Sequence, residues 1–168
     1  IDMFNTLILL TTLLFMSIPC LANIKFSADK LSLQFPHTII ATGNTRFYNN
    51  DIDITANTFQ YNTLSKLGNF KQHVKLNYKK ATLLSEHVSI DIHKKRLKGH
   101  DNIVLKTKDI HATAKEFIIT NHEIITLKKN VTVKRNGSQI KSNELVYNLK
   151  TDTILSNERV KIKLQIDE

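Results

Sequence analysis

The sequence predicts an all-β protein built from stacked repeats of about 28 or 29 residues. Residues 74–97 and 131–154 align without a gap, and their apolar residues fall at matching positions. Within each copy apolar and polar residues alternate, as in VSIDI at residues 88–92, which places the apolar side chains on one face of a strand. One such unit has no partner for its apolar face, whereas stacked units bury it together.

Further copies extend the repeat over the chain. A third copy starts at Ile103 and a fourth at Thr45. Half copies lie at residues 26–33 and 160–164, and we expect these to form edge strands. One repeat position always carries a small residue, which predicts a strand bend or a close approach; it is occupied by Ala28, Ala56, Ser85, Ala114 and Ser142.

Turn residues separate the predicted strands. Asn136-Gly137 is a strong two-residue hairpin sequence, because both residues tolerate a positive φ. The matching polar pairs are Lys79-Lys80, Lys108-Asp109 and Asn50-Asp51, and a second set consists of Thr151-Asp152, Lys94-Lys95 and Ser65-Lys66. Gly43-Asn44, Gly68-Asn69 and Gly99-His100 are interpreted as bends between strands. This spacing predicts roughly 13 to 16 strands.

The first 22 residues are interpreted as a cleavable secretory signal peptide, followed by one domain over residues 23–168. Residues 7–18 are apolar, which is short for a membrane span, and Cys20-Leu21-Ala22 provides small residues before the predicted cleavage site. Pro19 before Cys20 disfavours a lipoprotein. Since Cys20 is the single cysteine and leaves with the signal, the mature chain is expected to contain no disulfide and no catalytic thiol.

The chain is basic, with a formal net charge of +9 and a pI of about 9.6. Such a charge suits an anionic partner, for example lipid phosphates or a membrane surface. A solvated, lysine-rich surface explains the same composition equally well.

The sequence also resembles the LptA (OstA-like) family of lipopolysaccharide-transport proteins. The resemblance lies in IKFSADKLSLQF at residues 24–35, the bend Thr42-Gly43-Asn44, and the strand start Ile54-Thr55-Ala56-Asn57, where the family commonly has Asp at the last position. It implies a single twisted, V-shaped, open β-jellyroll of antiparallel strands. It also implies a non-catalytic periplasmic carrier that holds lipopolysaccharide acyl chains in an apolar groove and passes them from the inner to the outer membrane. LptC and the periplasmic part of LptD share this fold, and a membrane-anchored LptC-like component is the alternative role.

The apolar face of the repeat is the predicted lipid-binding surface, although any one of these residues also fits an ordinary core. The predicted residues are Ile24, Phe26, Phe47, Ile54, Phe59, Tyr61, Val74, Leu76, Val88, Ile90, Ile103, Leu105, Phe117, Ile119, Val131, Val133, Leu145 and Tyr147, and Leu83 shares their face. The edges at residues 24–35 and 160–165 are predicted to join protomers head to tail, and the resemblance implies that the same edges contact LptC-like and LptD-like partners.

Other functions have weaker support. No catalytic motif, cofactor fingerprint or metal-binding spacing is present; of the seven histidines, His87 and His93 are six residues apart, and His111 and His122 eleven. No catalytic residue, cofactor or metal is therefore expected. A nucleic-acid binder would interleave aromatic and basic residues, whereas here the aromatic residues lie with the apolar face. A secreted enzyme on a β scaffold has no motif to support it.

Overall fold

The computed structural model describes residues 25–120 and 123–164, and these form an antiparallel β structure of twelve strands. Within these ranges no helix is long and apolar enough to cross a membrane. The strands are β1 (Lys25–Ser27), β2 (Lys30–Gln34), β3 (Thr38–Tyr48), β4 (Ile52–Asn62), β5 (Leu67–Tyr78), β6 (Ala81–Asp91), β7 (Arg96–Lys106), β8 (Ile110–Thr120), β9 (Ile124–Arg135), β10 (Ser138–Asn148), β11 (Thr153–Leu155) and β12 (Lys161–Lys163).

The strands follow one another as neighbours in a single open sheet. Each of the strands β3 to β10 pairs with the next in the chain, so the sheet is a meander of hairpins. At one edge β1 and β2 both pair with β3, and at the other edge β11 and β12 both pair with β10. In the described part of the chain the two edges do not pair with each other, so the predicted open, all-β fold is confirmed.

Each of the strands β3, β5, β7 and β9 contains a two-residue bulge near its middle. The bulges are Gly43-Asn44, Gln72-His73, Asp101-Asn102 and Lys129-Asn130, and all eight residues have a positive φ. The strand pairing shifts register at each of them, for example between Lys71 and Val74 on β5. A bulge bends its strand and increases the local twist, so the recurring bulges bend the whole sheet along one line.

The predicted small-residue position lies beside these bulges. Ser85 pairs with Val74, immediately after the bulge of β5, and Ala114 pairs with Ile103 in the same way on β7. The Ser85 Oγ lies 2.8 Å from the carbonyl oxygens of both His87 and His100. This side chain therefore provides a hydrogen-bond donor for backbone carbonyls beside the bulge. The prediction that this position marks a bend is confirmed.

The bend divides the eight long strands into two halves, whose inner faces pack on each other. Half A contains residues 45–48, 52–56, 74–78, 81–85, 103–106, 110–114, 131–135 and 138–142, and half B contains residues 38–42, 58–62, 67–71, 87–91, 96–100, 116–120, 124–128 and 144–148. Phe47 of half A lies 6.0 Å from Phe70 of half B, measured between ring centroids. The hydrophobic core therefore fills the space between the two halves.

The predicted turns occur where the sequence places them. Asn136-Gly137 joins β9 to β10 with φ values of 49° and 76°, and Lys79-Lys80 joins β5 to β6. The second set of pairs lies in longer turns at the opposite strand ends, where Lys66, Lys95 and Asp152 have a positive φ.

The described residues form twelve strands, fewer than the predicted 13 to 16, because the long strands pass through the points where the sequence suggested breaks. Gly68 and Gly99 lie inside β5 and β7. A Cβ atom on Gly68 would lie 2.7 Å from Ile90 Cγ2, and a Cβ on Gly99 would lie 2.0 Å from Phe117 Cε1. These glycines allow a close approach of the neighbouring strand's side chains and do not form bends. Gly43-Asn44 does bend its strand, but it does so as a bulge within β3.

Candidate functional site

The apolar interior between the two halves contains the residues that the sequence predicted. From half A these are Phe47, Ile54, Val74, Leu76, Leu83, Ile103, Leu105, Val131 and Val133, and all are buried. From half B they are Phe59, Val88, Ile90, Phe117, Ile119, Leu145 and Tyr147, which are also buried, and Tyr61, which is partly buried against the core. Phe26 remains 36% exposed at the edge, and Ile24 lies outside the described residues. The predicted inward register is confirmed, whereas a lipid-binding role for these residues stays a prediction.

A second set of interior residues was not predicted from the sequence. Phe70, Ile125 and Leu127 are at most 1% exposed, and Leu97 is also buried. They lie in half B: Phe70, Ile125 and Leu127 come just before segments recognised as repeat copies, and Leu97 is the last residue of one copy. The sequence does carry an indication of them, since Gly68 and Phe70 share a strand face two residues apart, as do Ile125 and Leu127.

The interior offers an apolar ligand almost no polar group. Among the described residues, the buried polar ones are Thr45 and Ser85, and both are hydrogen-bonded to backbone oxygens. The Thr45 hydroxyl donates to the carbonyl oxygen of Ala56 at 2.8 Å. This interior therefore favours the burial of hydrocarbon and disfavours the burial of a charged or hydrogen-bonding group.

Aromatic rings line the interior at its N-terminal end. Phe59 stacks on Phe70 at 4.4 Å and on Tyr61 at 6.3 Å between centroids. Phe26 of the edge strand lies 5.5 Å from Phe59, so the cluster reaches solvent at the edge. Each such pair contributes about 0.5 to 1.5 kcal/mol beyond the burial of its area.

Large apolar side chains remain exposed at the two edges of the sheet. At the N-terminal edge Leu31 and Leu33 are 41% and 38% exposed, beside Phe26. At the C-terminal edge Leu155 and Ile162 are 61% and 56% exposed. Each edge consists of two short strands that pair with one long strand. Between β1 and β2, the Asp29 N–H donates a hydrogen bond to the Gly43 carbonyl. The half copies thus form edge strands as predicted, and each leaves apolar surface that the described residues do not cover.

Polar groups join the two halves where the ends of the strands meet. Lys79, in the β5–β6 turn, lies 3.7 Å from Glu123, which precedes β9. Lys80 and Arg135 lie 3.7 Å and 3.0 Å from Asp152, in the turn after β10. These turns are at opposite ends of strands about 36 Å long, so the contacts require that the sheet folds over on itself. We call this set of five residues the turn seam.

Two tyrosines beside the turn seam have strongly shifted pKa values. Burial raises the pKa of Tyr147 to about 12, and its hydroxyl donates a 2.5 Å hydrogen bond to Asp152. Burial, with the nearby carboxylates of Asp51 and Glu123, raises the pKa of Tyr78 to about 12. The hydrogen bond from Tyr147 in turn lowers the pKa of Asp152. At neutral pH both phenols are protonated and Asp152 is anionic.

The outer face of half A is basic near the C-terminal edge. Cross-strand pairing aligns Lys106 with His111, His111 with Lys134, and Lys141 with Lys161. Lys134 also pairs with Gln139, which pairs with Lys163 on β12. None of these strand positions carries a carboxylate; the lysine and histidine side chains are exposed, and Gln139 is half-buried. We call this set of residues the basic ladder; it faces away from the apolar interior.

The structure brings together two histidines that the sequence did not group. His87 lies opposite His100 on the neighbouring strand, and not beside His93. Asp101 joins this pair, and the three residues offer potential ligand atoms within 4.8 Å of one another. The sequence shows no metal-binding spacing because His87 meets His100 and Asp101 only through strand pairing. His122 lies outside the described residues.

Comparison with known proteins assigns the chain to a family. No curated protein matches the sequence significantly. Among solved structures, the crystal structure of LptH, the LptA homologous periplasmic component of the lipopolysaccharide transport device of Pseudomonas aeruginosa, is 10% identical with a TM-score of 0.44, over 86% of this chain and 96% of that chain. The model of the family described as LptA/(LptD N-terminal domain) LPS transport protein matches residues 25–153. The chain therefore belongs to the LptA/LptD N-terminal domain family of lipopolysaccharide transport proteins.

Proposed function

We propose that this protein carries lipopolysaccharide without catalysis, holding the acyl chains between the inner faces of its two halves. The observation that supports this most strongly is the continuity of the interior. Apolar side chains line both halves from β3 to β10, and apolar surface emerges at both edges. A site of this kind, apolar with few polar groups, is how proteins hold acyl chains.

Because the interior is well packed, acyl chains enter only if side chains and strands move apart. The edges are the places where this costs least, since Phe26 and Ile162 are already partly exposed. The family's role in lipopolysaccharide transport supports the choice of ligand. The family assignment also favours the periplasm as the location, with export directed by residues 1–22.

A fluorescent lipid A probe tests the choice of ligand. We expect saturable binding of the probe, and no competition from single-stranded DNA at moderate salt. Binding of the DNA instead, with loss at high salt, would support the nucleic-acid alternative and contradict the proposal.

We further propose that the two edges join protomers head to tail and also contact LptC-like and LptD-like partners. β12 presents Ile162 on the inner face, in register with Ile140, whereas Lys161 and Lys163 lie on the outer face. An exposed strand edge with an apolar face is a template for strand addition. A neighbour that adds its β1 and β2 there makes the apolar interior continuous from one protomer to the next.

Matched substitutions on β12 test this joint. Ile162→Glu is expected to weaken self-association about tenfold or more, because burying an isoleucine contributes about 1.5 to 3 kcal/mol. Lys161→Ala, one residue away on the outer face, is the control and is expected to associate like the wild type. Light scattering across a concentration series measures the mass. Equal association of the wild type and Ile162→Glu would show that this edge is not the joint.

The alternative role within the pathway is a membrane-anchored LptC-like component. Terminal sequencing of the periplasmic form distinguishes the two. We expect the mature chain to begin at Asn23, and an uncleaved, membrane-retained product would favour the LptC-like role.

A further inference from the structure

A cluster of two histidines and one aspartate lies on the outer face of the sheet, at the bend between β6 and β7. His87 and His100 are directly opposite each other, and their rings stack at 4.8 Å between centroids with 16° between the planes. His87 precedes the buried Val88, so the cluster faces away from the apolar interior.

The bulge of β7 directs Asp101 toward both rings. Asp101 has a φ of 68° and Asn102 a φ of 54°, which Asp and Asn tolerate better than most residues. Its Oδ2 lies 2.8 Å from His100 Nδ1 and 3.3 Å from His87 Nδ1. The Asp101 carboxylate thus lies close to the Nδ1 atom of each imidazole.

The carboxylate of this cluster has different ion-pair partners from the carboxylates at the same level of the neighbouring strands. Glu116 has Lys129 at 2.6 Å, and Glu144 has Lys128 at 2.9 Å. Asp101 has no such lysine; among the described residues its ion-pair partners are His87 and His100. An aspartate side chain is ionised at neutral pH. Two imidazoles and an anionic carboxylate form a set of donors that suits a divalent transition metal.

We propose that His87, His100 and Asp101 bind a divalent transition-metal ion of the kind that favours imidazole, such as Zn²⁺. Zinc binds histidine nitrogen and carboxylate oxygen at about 2.0 to 2.2 Å, which places neighbouring donors of a tetrahedral site about 3.4 Å apart. The Oδ2–Nδ1 separations of 2.8 Å and 3.3 Å are close to that value. The two rings are stacked, so they must rotate apart to direct both Nδ1 lone pairs at one ion. To bind the ion, each neutral imidazole carries its proton on Nε2, which frees the Nδ1 lone pair for the metal, and water completes the coordination.

Bound there, the metal cross-links β6 to β7 at the bend and leaves the interior free for a ligand. The proposal is therefore independent of lipid binding. It predicts that the metal raises the thermal stability of the protein, because it binds the folded chain and the ligands are assembled only by strand pairing.

Calorimetric titration of untagged protein with zinc chloride at pH 7.5, in a buffer that does not chelate zinc, tests the site. The wild type is expected to bind one ion at a high-affinity site. His87→Gln, His100→Gln and Asp101→Asn are each expected to lower that affinity about tenfold or more. His111→Gln is the matched control, since His111 lies near the start of β8, away from the bend, and it is expected to bind like the wild type.

Thermal unfolding gives a second readout. Zinc is expected to raise the unfolding temperature of the wild type and of His111→Gln, but not that of Asp101→Asn. The Asp101 side chain is 61% exposed, so Asp101→Asn is expected to fold. If a histidine variant does not fold, Asp101→Asn alone tests the metal site. Zinc binding and stabilisation that are unchanged in Asp101→Asn, or absent from the wild type, would overturn the proposal and leave the cluster as a hydrogen-bonded surface group.

Discussion

The contact between Gly99 and Phe117 provides a sharp test of how the interior is packed. These residues pair across β7 and β8, and Phe117 is fully buried. A Cβ at Gly99 would lie 2.0 Å from Phe117 Cε1 and 2.6 Å from Cδ1 and Cζ, distances at which the ring must move. Gly99→Ala is therefore expected to force the ring out of its place in the core.

The expected cost follows from that overlap. Inserting a methyl group into a packed core destabilises by about 1 to 3 kcal/mol. Alanine is otherwise better than glycine inside a strand by roughly 0.5 to 1 kcal/mol, so a net loss of stability requires the steric contact. Phe117→Leu alone is expected to cost about 1 to 2 kcal/mol, because it removes only part of the ring.

Combining the two substitutions isolates the contact. In Gly99→Ala/Phe117→Leu the new methyl group has room, so the double variant is expected to be more stable than the sum of the single effects by at least about 1 kcal/mol. Urea unfolding followed by circular dichroism gives each free energy of unfolding. Gly68→Ala is the matched control, since its Cβ would meet Ile90 and Phe59, and Phe117→Leu should not rescue it.

Strict additivity of Gly99→Ala and Phe117→Leu would refute this packing. So would a stabilising Gly99→Ala, because either result means that the Phe117 ring does not cover Gly99.

Three further predictions follow from the interior, the turn seam and the basic ladder. Phe117→Asp is expected to abolish lipid A binding and to cost several kcal/mol of stability. It buries an unpaired carboxylate and removes ring packing worth about 3 to 5 kcal/mol. Unchanged binding of the lipid A probe would mean that residue 117 faces solvent. The pKa of Tyr147 is raised to about 12 in the folded state, so its contribution to stability is complete below pH 10 and is lost as the pH rises toward 12. Urea midpoints should fall over that alkaline range, less steeply in Tyr147→Phe, and equal slopes would contradict the assignment. Lys134→Glu is expected to weaken binding to anionic phosphatidylglycerol vesicles at low salt, whereas Lys25→Glu at the opposite edge should have a smaller effect. Vesicle co-sedimentation measures the binding of both variants. Equal losses would show that the basic ladder does not bind anionic vesicles more strongly than the opposite edge does.

The repeat made much of the fold predictable. Strict alternation around Val88 and Ile90 determines which face is buried, because a strand alternates its side chains between two faces. Asn136-Gly137 identifies a two-residue hairpin, since both positions need a positive φ. The alignment of the copies identifies the other turns, whose residues alone are less specific for a turn.

The bulges and the long-range groupings were not predictable in the same way. Gln72-His73 contains no residue that favours a positive φ, and Asp101-Asn102 tolerates a positive φ without distinguishing a bulge from a turn. Missing them led to the excess of predicted strands and hid the interior position of Phe70. The pairing of His87 with His100 depends on the strand register, which the shift at the bulge changes. A single sequence with local patterns does not specify that shift.

Site-specific photo-crosslinking to lipopolysaccharide tests the central claim most directly. Tyr61 lies on the inner face and is only partly buried, so it tolerates a benzoyl-phenylalanine, and Gln60 is its exposed neighbour on the outer face. Phe26 and Lys25 form a second such pair on the edge strand. Crosslinks to lipopolysaccharide at Tyr61 and Phe26, and none at Gln60 and Lys25, are the result that this account predicts. Crosslinks that are equal on the two faces, or that form only on the outer face, would contradict it.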